Sequence, residues 1–132
     1  LVESVFFGRA ASGEDLSEAH FADRWRVRRG GRLVFAEDVR LEGPAACILA
    51  RRGVGAGARA CATFLHIAPD ATARLDEARA HLSDASSESG ASAWDGMLIA
   101  RFVGADAALL RADLARFLQA FRGAALPRSW QT

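Results

Sequence analysis

Apolar and polar residues alternate along "GRLVFAEDVRLE", residues 31–42, in the period-two pattern of a strand with one buried face. Leu33, Phe35, Val39 and Leu41 fall on one side, and Arg32, Asp38, Arg40 and Glu42 on the other. Glu37 breaks the pattern by falling on the apolar side, between Phe35 and Val39. The preceding run "HFADRWRVRR" also alternates, and Gly30-Gly31 between the two runs predicts a hairpin.

The register of that hairpin follows from its faces. A plain two-residue loop at Gly30-Gly31 would set Arg26 against Phe35 and Trp25 against Ala36, an apolar face against a charged one. A three-residue loop from Arg29 to Gly31, with a glycine in the left-handed position of a bulge, pairs Val27 with Leu33 and Trp25 with Phe35. We take this second register, which sets Asp23 opposite Glu37.

Other patterns extend the picture. "LVESVFF" predicts a strand over 1–8 that ends at Gly8, and residues 9–19 read as a loop with one helical turn after Ser12. "AACILARR" is a short apolar piece whose type the pattern leaves open. After the glycine-rich turn "GVGAGA", "RACATFLHI" predicts a strand that Pro69 ends. Asp70 is expected to cap a helix over 71–82, with Ala71, Leu75, Ala78 and Leu82 on one face. "SDASSESG" reads as a flexible loop, and "ASAWDGMLIARF" as a hairpin about Asp95-Gly96 or one bent strand. Asp106 is expected to cap a last helix running to Gly123, its core face formed by Leu110, Leu114, Phe117, Leu118 and Phe121. The tail "ALPRSWQT" is expected to be extended. Strands in front and two helices in the C-terminal half predict an α+β fold, predominantly antiparallel.

Composition narrows the class. The 132 residues predict a single domain or part of one. Hydrophobic content of 51% with 25% charge argues against disorder. A net charge of +1 predicts no strong attraction to nucleic acid or to an anionic membrane. No apolar run approaches the roughly 18 residues of a membrane span, and no signal peptide is evident. With only Cys47 and Cys61, no disulfide framework is expected, and a reducing cytoplasm is the simpler setting. The chain opens at Leu1 inside an apolar run, so a segment upstream is expected.

Candidate chemistry centres on the acids. A carboxylate on an apolar face is costly to ionise unless it is paired, hydrogen-bonded or bound to a cation. Asp23 opposite Glu37 at roughly 5 Å would add about 3 kcal/mol of repulsion at an effective dielectric near 20. Such a pair calls for a cation, a shared proton, an arginine or a wet cavity. The alternative is a half-exposed face, or neutralisation by an arginine such as Arg101. Glu3, between Val2 and Val5 in the first strand, is a third acid whose side the pattern leaves open. Cys61 and His66, five residues apart on one strand, face opposite sides and do not chelate together. Any metal contact would therefore involve carboxylates, with or without one imidazole, and waters, in a weak and exchangeable site. Gly53 to Ala58 fit G-x-G-x-x-A, but the short apolar strand expected after them is not the long helix that a dinucleotide fold needs. No nucleophile with a base, no P-loop and no H-E-x-x-H occurs.

Five segments in order carry a family resemblance: "FGRAASGE", "DRWRVRRGGRLVFAEDVRL", "LHIAPDATARLD", "GASAWDGMLIARF" and "LPRSWQ". They resemble the C-terminal half of the UreD (UreH) urease accessory proteins, with Gly8, Arg9, Gly13, Glu14, Arg101, Pro127, Arg128 and Trp130 as the matching positions. The resemblance implies part of a larger, mostly-β fold and a non-enzymatic metallochaperone subunit. Its implied partners are the helical accessory protein UreF, the GTPase UreG and apo-urease. Its implied cargo is transient nickel(II), with no tightly bound cofactor, carried along a polar internal passage. Glu37 and Glu3 match positions where the family carries acids discussed for that passage, and Asp23 joins them from the parity argument alone. Two other readings compete: a scaffold bridging UreF and UreG to urease without touching metal, and, more remotely, a nucleotide-binding or acid–base enzyme.

Overall fold

A computed structural model describes residues 1–8 and 17–130. Its elements are β1 (Val2–Phe6), β2 (Ala19–Arg29), β3 (Arg32–Gly43), α1 (Ala45–Ala50), β4 (Ala60–Ile67), α2 (Leu75–Leu82), β5 (Glu88–Trp94), β6 (Met97–Gly104), α3 (Ala107–Arg122) and a closing 3-10 turn, Arg128–Trp130. The fold is α+β with antiparallel pairing throughout, as the alternation predicts. The chain divides into two compact units, Gly8–Gly57 and Leu1–Phe7 with Ala58–Thr132. The helical turn expected after Ser12 lies outside the described residues.

The first unit is the β2–β3 hairpin with α1. Its turn is the two-residue Gly30-Gly31 loop after all, with Arg29 paired to Arg32 and Arg28 to Leu33. Both glycines have positive φ, +55° and +79°, as a tight turn matched to strand twist requires. The apolar faces are brought together by a different device. The register shifts between Val27 and Arg28, so Val34 is an extra residue on β3 and Val27 pairs with Phe35. Leu33, on the loop side of that bulge, turns to the solvated side and is 42% exposed. A Cβ at Gly31 would meet no atom within 4 Å, so only its left-handed backbone opposes a side chain there. Gly31→Val is therefore expected to destabilise the turn by about 1–2 kcal/mol, seen as faster amide hydrogen exchange along β2 and β3. Unchanged exchange would show that the turn does not hold the register.

The open "AACILARR" segment is helical over Ala45–Ala50, where Pro44 sets the entry and α1 lies against β3. Among the described residues of this unit, Leu41, Ala45 and Leu49 are buried. Residues 51–57 are turns, with the Gly57 N–H donating to the Leu49 carbonyl at 2.8 Å.

The second unit is a four-stranded sheet in the order β1-β4-β6-β5, with α2 and α3 packed on one face. Phe64 of β4 and Leu98, Ala100 and Phe102 of β6 meet the α3 stripe, of which Leu110, Leu114, Phe117, Leu118 and Phe121 are all buried. The caps of α3 are those the residues predict. The Asp106 carboxylate accepts the N–H groups of Ala108 and Leu109 at 2.8 and 3.0 Å, and Gly123 ends the helix at φ +60°.

Three expectations change in this unit. First, α2 begins at Leu75, not at Ala71, and Arg74 precedes it without a side-chain cap. Tight turns carry 68–74 instead, Ala71 is fully buried, and the Asp70 carboxylate points to His66 at 3.6 Å. Second, the strand β5 starts at Glu88, inside the segment expected to be a loop, because Glu88 to Gly90 pair with Val103 to Arg101. Of the two forms considered for 91–102, the hairpin is the one found, with φ +47° at Asp95 and +69° at Gly96. Third, the tail is not extended throughout. Pro127 initiates a 3-10 turn whose Trp130 N–H donates to the Pro127 carbonyl, and Leu126 is buried in the core. Among the described residues, no helix is long and apolar enough to cross a membrane.

Candidate functional site

Glu37 stands where the alternation puts it. It shares a face of the hairpin with Phe35 and Val39 of β3 and with Phe21, Trp25 and Val27 of β2, and it is half-buried. The two-residue turn and the bulge at Val34 together change its partner. Trp25 lies opposite Glu37, and Asp23 lies opposite Val39, so the expected Asp23–Glu37 cross-strand pair is not formed. The two acids are diagonal neighbours on the same face, roughly 7 Å apart, where their repulsion falls to about 2 kcal/mol at an effective dielectric near 20.

The opposite face is charged and self-compensating. Asp38 accepts from Arg24 at 2.9 Å and from Arg40 at 3.1 Å, with Arg26 at 3.5 Å. The bond from Arg40 holds the Asp38 carboxyl below its ordinary range, against the opposing effect of desolvation and with further help from the bond and charge of Arg24. Arg24, Arg26 and Arg40 thus form a solvated strand face around Asp38.

Glu3 belongs to the other unit. Its backbone partner on β4 is Thr63, and Thr63 in turn pairs with Arg101 on β6, so the three share one row of the four-stranded sheet. Arg101 is therefore placed in the row of Glu3. Cys61 and His66 lie at positions of opposite parity on β4 and are not brought together. Cys47 is exposed and Cys61 half-buried. Among the described residues, no three His, Cys, Asp or Glu side chains converge as a metal cluster. A divalent ion at the hairpin would thus meet two carboxylates and water, a donor set suited to exchange rather than storage.

The glycine-rich segment is not a nucleotide loop. A helix precedes it and a strand follows it, the reverse of the dinucleotide fingerprint. A buried acid was missed in the sequence reading. Asp113 is 4% exposed, within the apolar stripe of α3, and its Oδ2 accepts the Ser87 N–H at 2.7 Å and the Ser87 hydroxyl at 2.8 Å. Its position three after Leu110 and four before Phe117 is the signal that could have found it, read at helical rather than strand period.

Sequence comparison decides the family. The family model described as UreD urease accessory protein matches residues 1–131. The chain belongs to the UreD family. It is 54% identical over 128 residues to the urease accessory protein UreD of Azorhizobium caulinodans, covering 97% of this chain and 47% of the relative. It is 52% identical over 130 residues to the UreD of Xanthobacter autotrophicus, covering 98% and 45%. A Rhodopseudomonas palustris UreD is 50% identical over 130 residues, covering 98% and 47%. The chain spans about half the length of the curated relatives it matches.

The positions that carried the resemblance are distributed over both units. Gly8 has φ +73°, and Arg9, Gly13 and Glu14 lie outside the described residues. Pro127 and Arg128 build the closing turn, and Trp130 packs against the core of the UreD sheet unit.

Proposed function

We propose that this chain acts, without catalysis of its own, in urease maturation by passing nickel(II) through exchangeable carboxylate ligands. The supporting observation is the pair of half-buried acids, Glu37 and Asp23, on the apolar face of the hairpin. Family membership supports the urease setting. In this reading Glu37 is a relay ligand, Asp23 its diagonal companion and Glu3 a further station. UreF, the GTPase UreG and apo-urease are the partners, and the cytoplasm is the compartment. A conduit must hold an ion well enough to admit it and loosely enough to release it, and two carboxylates with water meet both demands.

Glu37→Ala, in cells that depend on this protein for urease, is expected to lower urease nickel content and activity about tenfold at limiting nickel. Excess nickel should restore both. Full maturation at limiting nickel would remove Glu37 from the relay.

A scaffold that never touches metal is the second reading, favoured by the absence of a three-ligand cluster among the described residues. Glu37→Gln separates the two. Its shape is conserved and its charge is lost, so a scaffold tolerates it and a relay does not.

A further inference from the structure

A cavity of about 710 Å³ opens in the four-stranded unit beside the C-terminal end of α3. Its apolar wall is formed by Phe64, Leu118, Phe121, Leu126 and Trp130. Leu1 and Val2 complete the wall, its polar side chains are His66, Arg74 and Arg122, and among the described residues no carboxylate lines it. The size and the mixture of apolar wall with a few convergent polar groups are those of a recognition pocket.

Each polar group has capacity left. The His66 Nε2 is buried without a hydrogen-bond partner, and Asp70 Oδ1, at 3.6 Å, is beyond bonding distance. Arg74 is held rigidly, its guanidinium 3.8 Å over the Phe121 ring, with Nε and Nη2 on the Glu77 carboxylate and Nη2 also on the Phe121 carbonyl. Its Nη1 is not used in these bonds. Arg122 is exposed, and no salt bridge joins it to a carboxylate among the described residues. The α3 C-terminal carbonyls, which would repel an anion, are engaged by Arg74 and by the Gly123 N–H.

We propose that this cavity is a docking pocket for a partner peptide carrying an apolar side chain beside a carboxylate. The apolar group fills the space between Phe121 and Trp130. The carboxylate meets Arg122 and the Nη1 edge of Arg74, with the unpartnered His66 Nε2 beside them. Charge complementarity selects this occupant: Arg74 is matched by Glu77 and His66 faces Asp70, whereas no carboxylate among the described residues answers Arg122, so an anion gains there and a cation does not. The proposal goes beyond the nickel relay and stands on different residues in the other compact unit. Loss of one therefore leaves the other standing.

The test uses the whole 132-residue chain and three capped peptides with a Leu-Phe centre flanked by glutamates, by glutamines or by arginines. Binding is followed by calorimetry and by the fluorescence of Trp130, with Trp130→Phe as the control for assigning the signal. The glutamate peptide is expected to bind saturably and at least tenfold more tightly than the glutamine peptide. Arg122→Glu, a change at an exposed position, should keep the thermal unfolding midpoint and reverse the preference toward the arginine peptide. Equal binding of all three peptides, or an unchanged preference in Arg122→Glu, would overturn the proposal. So would saturable binding of phenylacetate with none of the glutamate peptide, which would mark a small-molecule pocket instead.

Discussion

Phe117→Ala is expected to cost about 4 kcal/mol of stability. Phe117 is fully buried at the centre of an aromatic cluster. Its ring meets Phe64 and Phe102 edge-on at 5.3 and 5.6 Å and stacks on Phe121 at 5.5 Å. Truncation removes those contacts and leaves a void between two rigid layers, the β4–β6 sheet and α3, that side-chain movement fills only in part. The measurement is urea unfolding followed by circular dichroism, with the slope of the transition retained and its midpoint lowered. Leu109→Ala on the same helix, at a position 52% exposed, is the control and should fall within about 0.5 kcal/mol of the unaltered protein. Equal losses for the two variants would mean that α3 does not pack on the sheet through this face.

The second large effect belongs to Asp113. Asp113→Ala removes the acceptor for both the N–H and the hydroxyl of Ser87 and the carboxylate that Arg116 contacts at 2.6 Å. The entry into β5 then loses its tie to α3, with an expected cost of about 3 kcal/mol and a melting point lower by on the order of 10 °C. The pH dependence is specific. Burial disfavours the charged Asp113, but the bonds from Ser87 and the charge of Arg116 outweigh it and hold its carboxyl below the ordinary range. A group depressed on folding stabilises the protein above its unfolded pKa, and that contribution is lost as pH falls through the folded value. The destabilisation of Asp113→Asn relative to the unaltered chain should therefore be largest near neutral pH and shrink below about pH 4. A difference that stays constant from pH 7 to pH 3 would show that the carboxylate charge plays no part.

Asp113 and Glu37 also mark how far the sequence could be read. Both are acids in an apolar stripe, one at strand period and one at helix period. Only the first was noticed, because the α3 stripe was read for its large apolar residues and the polar member among them was passed over. For Glu37, the face was legible from alternation, which depends only on counting along one strand. Its neighbour was not. Pairing depends on a second strand: the two-residue turn and the extra residue at Val34 each shift the register by one, and together they replace Asp23 by Trp25 opposite the acid.

By itself the sequence determined what local physics controls. Strand parity, the glycine turn at 30–31, the Asp106 and Gly123 caps and the apolar stripe of α3 all follow from steric and hydrogen-bonding preferences of neighbouring residues. Tertiary structure decided the rest. Glu88 to Gly90 became a strand because β6 offered them an unpaired edge, whereas their own propensities favour a loop. Helix α2 started late because burying Ala71 and turning Asp70 toward His66 took that carboxylate away from a cap. The tail curled because Leu126 and Trp130 found the core. In each of these the deciding energy lies in contacts between residues far apart in the chain, and no local pattern carries that information.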